Sequence, residues 1–238
     1  MRPHSSWLLL FFALCASAQN APDMASDAHH QLLLENARVR VFAVSLGPGE
    51  RSLVRHEHNF LMVTLQDCEI VMWPEGRSDI QIFRLGEGDV RFLFGARARG
   101  LRNERTSGYR NITIEFLDPK VTTYGYQRDS GAWDYGDSVL RPPVDPHAKF
   151  ANSIQLGTAV VTDVQLLPGD SLPHPEKPAA ELLIPVSDVD FEMEGGTHLR
   201  NSPGEAIWIP AGRKFKLVNA GGDAARFIVV EFPETPSP

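Results

Sequence analysis

The stretch Pro48-Gly49-Glu50-Arg51-Ser52-Leu53-Val54-Arg55-His56-Glu57-His58 decides how the rest of the chain is read. It runs out of a Gly-Pro-Gly turn and carries two histidines at i and i+2. Alternate side chains of a strand share one face, so His56 and His58 are expected to point one way and Glu57 the other. If that face lines a barrel interior, the two imidazoles converge on one pocket.

Short apolar runs continue on both sides of this stretch: Val39 to Leu46, Leu53 to His58, Phe60 to Leu65, Cys68 to Trp73, Ile80 to Leu85, Asp89 to Phe94, Leu101 to Glu104 and Asn111 to Leu117. Turn residues separate them, among them Gln66-Asp67, Pro74-Glu75-Gly76, Gly86-Glu87-Gly88 and Ser107-Gly108. Beyond the N-terminus no helical period is sustained. Short strands at this spacing predict an all-β sandwich or barrel.

The second half repeats the first. At one constant offset Gly88 falls on Gly204, Arg97 on Arg213, Leu101 on Leu217 and Asn103 on Asn219. Arg110 falls on Arg226, Ile112 on Ile228, Glu115 on Glu231 and Phe116 on Phe232. Leu46-Gly47-Pro48-Gly49-Glu50 matches Leu166-Leu167-Pro168-Gly169-Asp170 at a slightly longer one. This is a tandem duplication of one β unit, with copies expected at 31–118 and 151–238. The segment 119–150 between them holds Pro142-Pro143 and Pro146, which suit an extended connection. Tyr124, Tyr126, Trp133 and Tyr135 make it too aromatic for a free linker. It is read as a clasp across the two units, with a lid over a ligand as the alternative.

The N-terminus is an address. Arg2 and His4 precede the apolar run Trp7 to Leu14, which is too brief to span a bilayer, and Ala16-Ser17-Ala18 follows. Residues 1–18 are read as a signal peptide cleaved before Gln19, for export to the periplasm or medium. A lipidated Cys15 is the alternative. Residues 19–30 are expected to form a mobile lead-in, with His29-His30 solvated. The net charge of −7 over 238 residues argues against nucleic acid and anionic membrane as partners. After cleavage Cys68 has no disulfide partner and is read as a buried apolar residue beside Ile70-Val71-Met72. The sequon Asn111-Ile112-Thr113 lies in an expected strand and is taken as incidental.

With these residues in place, the chain resembles the cupin superfamily, and in particular a two-domain bicupin. The first cupin motif carries Gly, His-x-His and Glu, and the second carries Gly, Pro-x-Gly, His and Asn. The resemblance implies two double-stranded β-helix (jelly-roll) barrels, each with three histidines and a glutamate as metal ligands. In the first copy Gly49, His56 and His58 match the first motif, while Met62 or Val63 stands where glutamate is expected. Gly88 and Asn103 match the second, but Phe94 and Ala96 replace its Pro and second Gly, and Arg99 takes the place of the third histidine. In the second copy Gly169, His174 and Glu181 match the first motif, with Glu176 at the second histidine. Gly204, Pro210, Gly212 and Asn219 match the second motif, and Phe215 replaces its ligand.

The sites are therefore degraded. A catalytic metal needs three protein ligands and an open position, and His56 with His58 supplies too few. A cationic Arg99 aimed at the same point opposes a divalent ion. Two imidazoles and a guanidinium instead suit a carboxylate or similar anion. His174, Glu176 and Glu181 could hold a divalent ion such as Fe, Mn, Ni or Zn weakly, although Pro173 and Pro175 disturb the alternation there. The expectation is an exported bicupin, monomeric or homodimeric, that binds a small molecule. The alternatives are a metal-dependent oxygenase or isomerase, and a structural jelly roll.

Overall fold

A computed structural model describes residues 21–78, 80–123, 137–140, 149–172, 179–193, 196–213 and 216–233. Residues 1–18, expected to be a signal, and His174, Glu176, Phe215, Tyr124, Tyr126, Trp133 and Tyr135 lie outside the described residues.

The first barrel pairs a six-stranded sheet with a four-stranded one. The larger runs in the order β1 (His30–Glu35), β2 (Val39–Leu46), β9 (Tyr109–Phe116), β4 (Phe60–Thr64), β7 (Val90–Leu93), β10 (Asp137–Leu140). The smaller runs β3 (Arg51–His56), β8 (Arg97–Asn103), β5 (Cys68–Pro74), β6 (Gln81–Leu85). The second barrel repeats the plan. Its larger sheet runs β11 (Phe150–Leu156), β12 (Ala159–Leu166), β19 (Ala225–Phe232), β14 (Ala180–Pro185), β17 (Ile207–Ile209). Its smaller sheet runs β13 (Ser171–Leu172), β18 (Leu217–Asn219), β15 (Val189–Glu192), β16 (His198–Asn201).

The central strands of the two larger sheets are buried on both faces. Along β9, Tyr109 points into the first barrel with Phe42, Phe60 and Met62. The residues of opposite parity, Ile112, Ile114 and Phe116, point outward into a second core shared with Val161, Leu182, Ile228, Val230 and Phe232. The second barrel has its own interior around Leu183, Phe191, Phe227 and Val229. Period-two alternation therefore serves two cores at once, which is why these strands read as nearly continuous apolar runs. Phe116 and Phe232, duplicates of one another, meet in the shared core with ring centroids 6.3 Å apart.

Duplicated residues do duplicated work. The amide of Asn103 donates to the carbonyls of Leu46 (3.2 Å), Gly47 (3.2 Å) and Ser107 (2.8 Å), and its Oδ1 accepts from Arg105 N–H at 3.0 Å. Asn219 repeats this with the carbonyls of Leu166 (3.0 Å) and Asp223 (2.8 Å), and accepts from Gly221 N–H at 3.0 Å. Each amide ties a barrel's opening turn to its last hairpin. Gly88 and Gly204 explain another match. The Arg226 guanidinium donates to the carbonyls of Glu87 (3.1 Å) and Gly88 (3.2 Å) in the other barrel, while also pairing with Asp163 at 2.8 Å. A Cβ on Gly88 would overlap that guanidinium. Arg110 makes the reciprocal contact, donating to the Pro203 carbonyl at 3.1 Å, beside Gly204.

One expectation needs correction. Residues 21–30 are not a mobile lead-in where they are described: Met24 is fully buried in the first barrel's core, and Asp23 Oδ1 accepts from Ala25 N–H at 2.9 Å to cap a short 3-10 turn. The apolar anchor Met24 outweighs the polar composition around it. From the connecting segment, β10 joins the edge of the larger sheet beside β7, and its Leu140 enters the shared core. Cys68 is buried as expected, and burial pushes its thiol up to about 12, so it is inert as a nucleophile.

Ala96 takes the place that Gly212 holds in the second copy, and its φ of 58° is a left-handed conformation costly to any residue with a Cβ. Ala96→Gly is expected to stabilise the protein by roughly 0.5–1 kcal/mol, whereas Asn103→Ala should cost roughly 2–4 kcal/mol. Urea unfolding of both variants against the wild type checks the pair.

Candidate functional site

The site lies inside the first barrel, in a cavity of about 30 Å³ whose polar lining is His30, Ser52, His56, Arg99, Asn111 and Thr113. Strand alternation places most of them. Ser52, Val54 and His56 share the inward face of β3, and the register sets Val54 opposite Arg99 on β8. Asn111 and Thr113 come from the inward face of β9. Among the described residues no carboxylate lines the cavity.

Of the three residues expected to meet in this barrel, the structure brings two together. His56 and Arg99 are 6% and 4% exposed and both face the cavity. His58 does not join them. Strand β3 ends at His56, and just beyond His58 the Asn59 amide donates to the Val121 carbonyl at 2.9 Å while its Oδ1 accepts from Gly95 N–H at 3.0 Å. These two bonds hold the chain in a bend at His58, so the two-residue period stops before it reaches that side chain. His30 takes a place in the lining instead. Its ring packs edge-on against Phe42 and its Nδ1 lies 3.0 Å from Asp27 Oδ1.

The register also corrects the glutamate alignment. On β4 it is Phe60 that pairs with Glu115, and on β14 it is Glu181 that pairs with Glu231. Since Glu115 and Glu231 are duplicates, Phe60, rather than Met62 or Val63, stands where the second barrel has Glu181. The Phe60 ring stacks on His56 at 3.8 Å with planes 8° apart, and the Arg99 guanidinium lies 5.6 Å from its centroid.

Glu115 is the charged residue that pattern reading passed over. It is fully buried, accepts from Arg40 Nε at 2.9 Å, and places Oε1 3.8 Å from His56 Nδ1. That separation would be an ion pair if both groups were charged. Burial, then the nearby charge of Arg99, holds the His56 imidazolium form well below its usual range, so the ring is neutral. Burial lifts Glu115 to about 7 against the pull of Arg40. The 3.8 Å gap is also too long for a hydrogen bond. Among the described residues His56 Nδ1, Ser52 Oγ and Glu115 Oε1 are buried without a hydrogen-bond partner. Buried polar atoms are rarely left so, and a cavity of this size admits one or two waters or the head group of a small anion.

The donor set does not fit a metal in this barrel. A phenyl ring and a guanidinium occupy two of the ligand positions that the cupin resemblance implies. Among the described residues no group of three or more His, Cys, Asp or Glu lies close enough to hold an ion. In the second barrel Glu181 and Glu231 face each other across β14 and β19, while His174 and Glu176, the co-ligands expected for Glu181, lie outside the described residues.

Neither a family model nor a curated protein sequence matches the chain. Solved structures do. A cupin 2 conserved barrel domain protein from Leptotrichia buccalis superposes with a TM-score of 0.56 at 12% identity, over 86% of this chain and 88% of that one. AerE from Microcystis aeruginosa gives 0.56 at 13% identity, over 86% and 97%. Salicylate 1,2-dioxygenase from Pseudoaminobacter salicylatoxidans, in adducts with gentisate, gives 0.55 at 14% identity, over 82% and 68%. At this identity the likeness is one of fold: the chain is an all-β protein of the cupin fold with two tandem barrels.

Glu181 offers a test of the second barrel's interior. Burial, reinforced by Glu231, lifts its carboxyl to about 7. A folded-state value above the ordinary carboxylate value contributes stability at low pH that is lost as pH rises through about 7. Glu181→Gln is therefore expected to gain roughly 1–3 kcal/mol over the wild type at pH 8 relative to pH 5, as read from urea unfolding at both pH values.

Proposed function

We propose that this is an exported binding protein whose first barrel holds the head group of a small anion, a carboxylate or a group of similar size, without a metal. The observation that carries the reading is the buried Arg99 guanidinium beside a neutral His56, in a cavity that no acidic side chain of the described residues lines. Arginine stays charged in proteins, and its planar fork matches a carboxylate's two oxygens. The Ser52 hydroxyl and His56 Nδ1 add hydrogen-bonding positions that the described residues leave unused. Arg99 anchors the anion, Ser52 donates to it, and His56, stacked on Phe60, gives a polar edge without adding charge. The cavity of about 30 Å³ suits a head group such as formate and is too small for an aromatic acid. The export reading rests on the charged start, apolar run and Ala16-Ser17-Ala18 of the N-terminus, and sequencing of the secreted protein should begin at Gln19.

Thermal unfolding in a panel of formate, acetate, nitrate and chloride is expected to show a saturable rise in Tm for at least one planar anion. Arg99→Met should remove that response, and a panel of divalent metals should leave the wild type unmoved. Equal responses from wild type and Arg99→Met would refute the assignment.

A further inference from the structure

The inward face of β9 carries a polar ladder behind the cavity wall. Thr113 Oγ1 donates to Asn111 Oδ1 at 3.0 Å, and Asn111 Nδ2 donates to the Tyr109 hydroxyl at 2.5 Å. That hydroxyl in turn donates to Met62 Sδ at 3.2 Å. Thr113 and Asn111 line the cavity, and Tyr109 is fully buried. The duplication shows that the fold does not need this ladder. Thr113 pairs with Met62 as Val229 pairs with Leu183, and Tyr109 pairs with Leu46 as Ala225 pairs with Leu166. The second barrel therefore has Ala225, Phe227, Val229 and Leu183 at the ladder positions, all in its apolar core. Buried hydroxyls and amides are costly beside such side chains, so their presence in the first barrel points to a task there.

The direction of the ladder decides what the pocket can hold. In reverse, with the amide turned over, Tyr109 would donate to Asn111 Oδ1 and Nδ2 would donate to Thr113. The tyrosine oxygen would then face the Met62 sulfur lone pair to lone pair, and one bond would be lost. A thioether accepts a hydrogen and has none to give. Met62 thus fixes the polarity, and the Thr113 proton is committed to Asn111. Thr113 offers the cavity lone pairs alone. His30 is set the same way. Its Nδ1 lies 3.0 Å from the Asp27 carboxylate, which only accepts, and burial disfavours the charged ring. The proton therefore sits on Nδ1, and Nε2 is an acceptor.

We propose that the first barrel selects a small planar anion that carries a hydroxyl of its own, bicarbonate being the ligand of that class and size. The inference rests on the reading of Arg99 as the anchor. Arg99 on β8 and Ser52 on β3 belong to the smaller sheet, and Thr113 on β9 belongs to the larger. Donors and acceptor therefore stand on opposite walls of a cavity of about 30 Å³, and one small occupant reaches both. The charged oxygens of bicarbonate take the guanidinium, and its O–H donates to Thr113 Oγ1. Nitrate and acetate have the same planar outline without the O–H, so either leaves the Thr113 lone pairs buried and unpaired. Met62 and Tyr109 act through Asn111 and Thr113, as positioning residues.

Isothermal titration calorimetry with sodium bicarbonate, nitrate and acetate is expected to show bicarbonate bound about 10-fold more tightly than either isostere. Thr113→Val should bring bicarbonate down to the affinity of nitrate and leave nitrate unchanged, whereas Thr113→Ser should keep the preference. Met62→Leu installs the residue of the second barrel, frees the ladder to reverse, and should shift the preference toward nitrate with Thr113 still in place. Equal wild-type affinities for the three anions overturn the inference and leave the Arg99 anchor standing. So does a preference for bicarbonate that survives Thr113→Val or Met62→Leu. Binding of no anion, or binding that Arg99→Met leaves intact, overturns the anchor and the inference with it.

Discussion

The structure depends on two β-sheets whose central strands are buried on both faces. β9 and its duplicate β19 each send one parity of side chains into their own barrel and the other into the core between barrels. Ile112, Ile114 and Phe116 on one strand and Ile228, Val230 and Phe232 on the other close that shared core. Truncating a fully buried residue of this size typically costs about 2–5 kcal/mol, so the barrels hold each other together as much as each holds itself. The arginines at its edge add direction. Arg226 reaches across to the Gly88 turn while pairing with Asp163, and Arg110 reaches back toward Gly204. Glycine is needed where the guanidinium packs on the turn.

Against that apolar background the inward polar residues of the first barrel stand out. Asn111, Thr113 and Glu115 alternate with the three apolar residues of β9; the first two line the cavity with His56 and Arg99 of the opposite sheet, and Glu115 lies near His56 alone. The two barrels have kept their turns and changed their interiors. The asparagine knots at Asn103 and Asn219 are nearly superimposable in their partners. At the next level Phe60 and Glu181 occupy one position, and their chemistry differs completely. Phenyl against imidazole beside a guanidinium makes the pocket proposed above to take an anion. Carboxylate against carboxylate makes an interior that favours a proton.

Much of the fold could be read from residues alone because its turns demand particular ones. Gly49, Gly88 and Asn103 recur as Gly169, Gly204 and Asn219, and the strand from Val39 to Leu46 has the bounds its pattern suggests. The site was less legible. The end of β3 is set by Asn59 bonding to residues 62 and 36 positions away, and no local pattern encodes that stop before His58. The strand β1 hid His30 behind a polar leader whose fully buried anchor is Met24. Glu115 did leave a trace, as a carboxylate inside an apolar run repeated at Glu231. Its role was invisible because the partner that holds it, Arg40, lies 75 residues away.

The central claim is that Arg99 makes the first barrel an anion site. Anomalous diffraction from crystals soaked in bromide, recorded at the bromine edge, tests it most directly. The account predicts a bromide peak within about 3.5 Å of the Arg99 guanidinium, between it and Ser52. A pocket without bromide while the halide occupies other sites, or a metal ion ligated by His56 in its place, would contradict it.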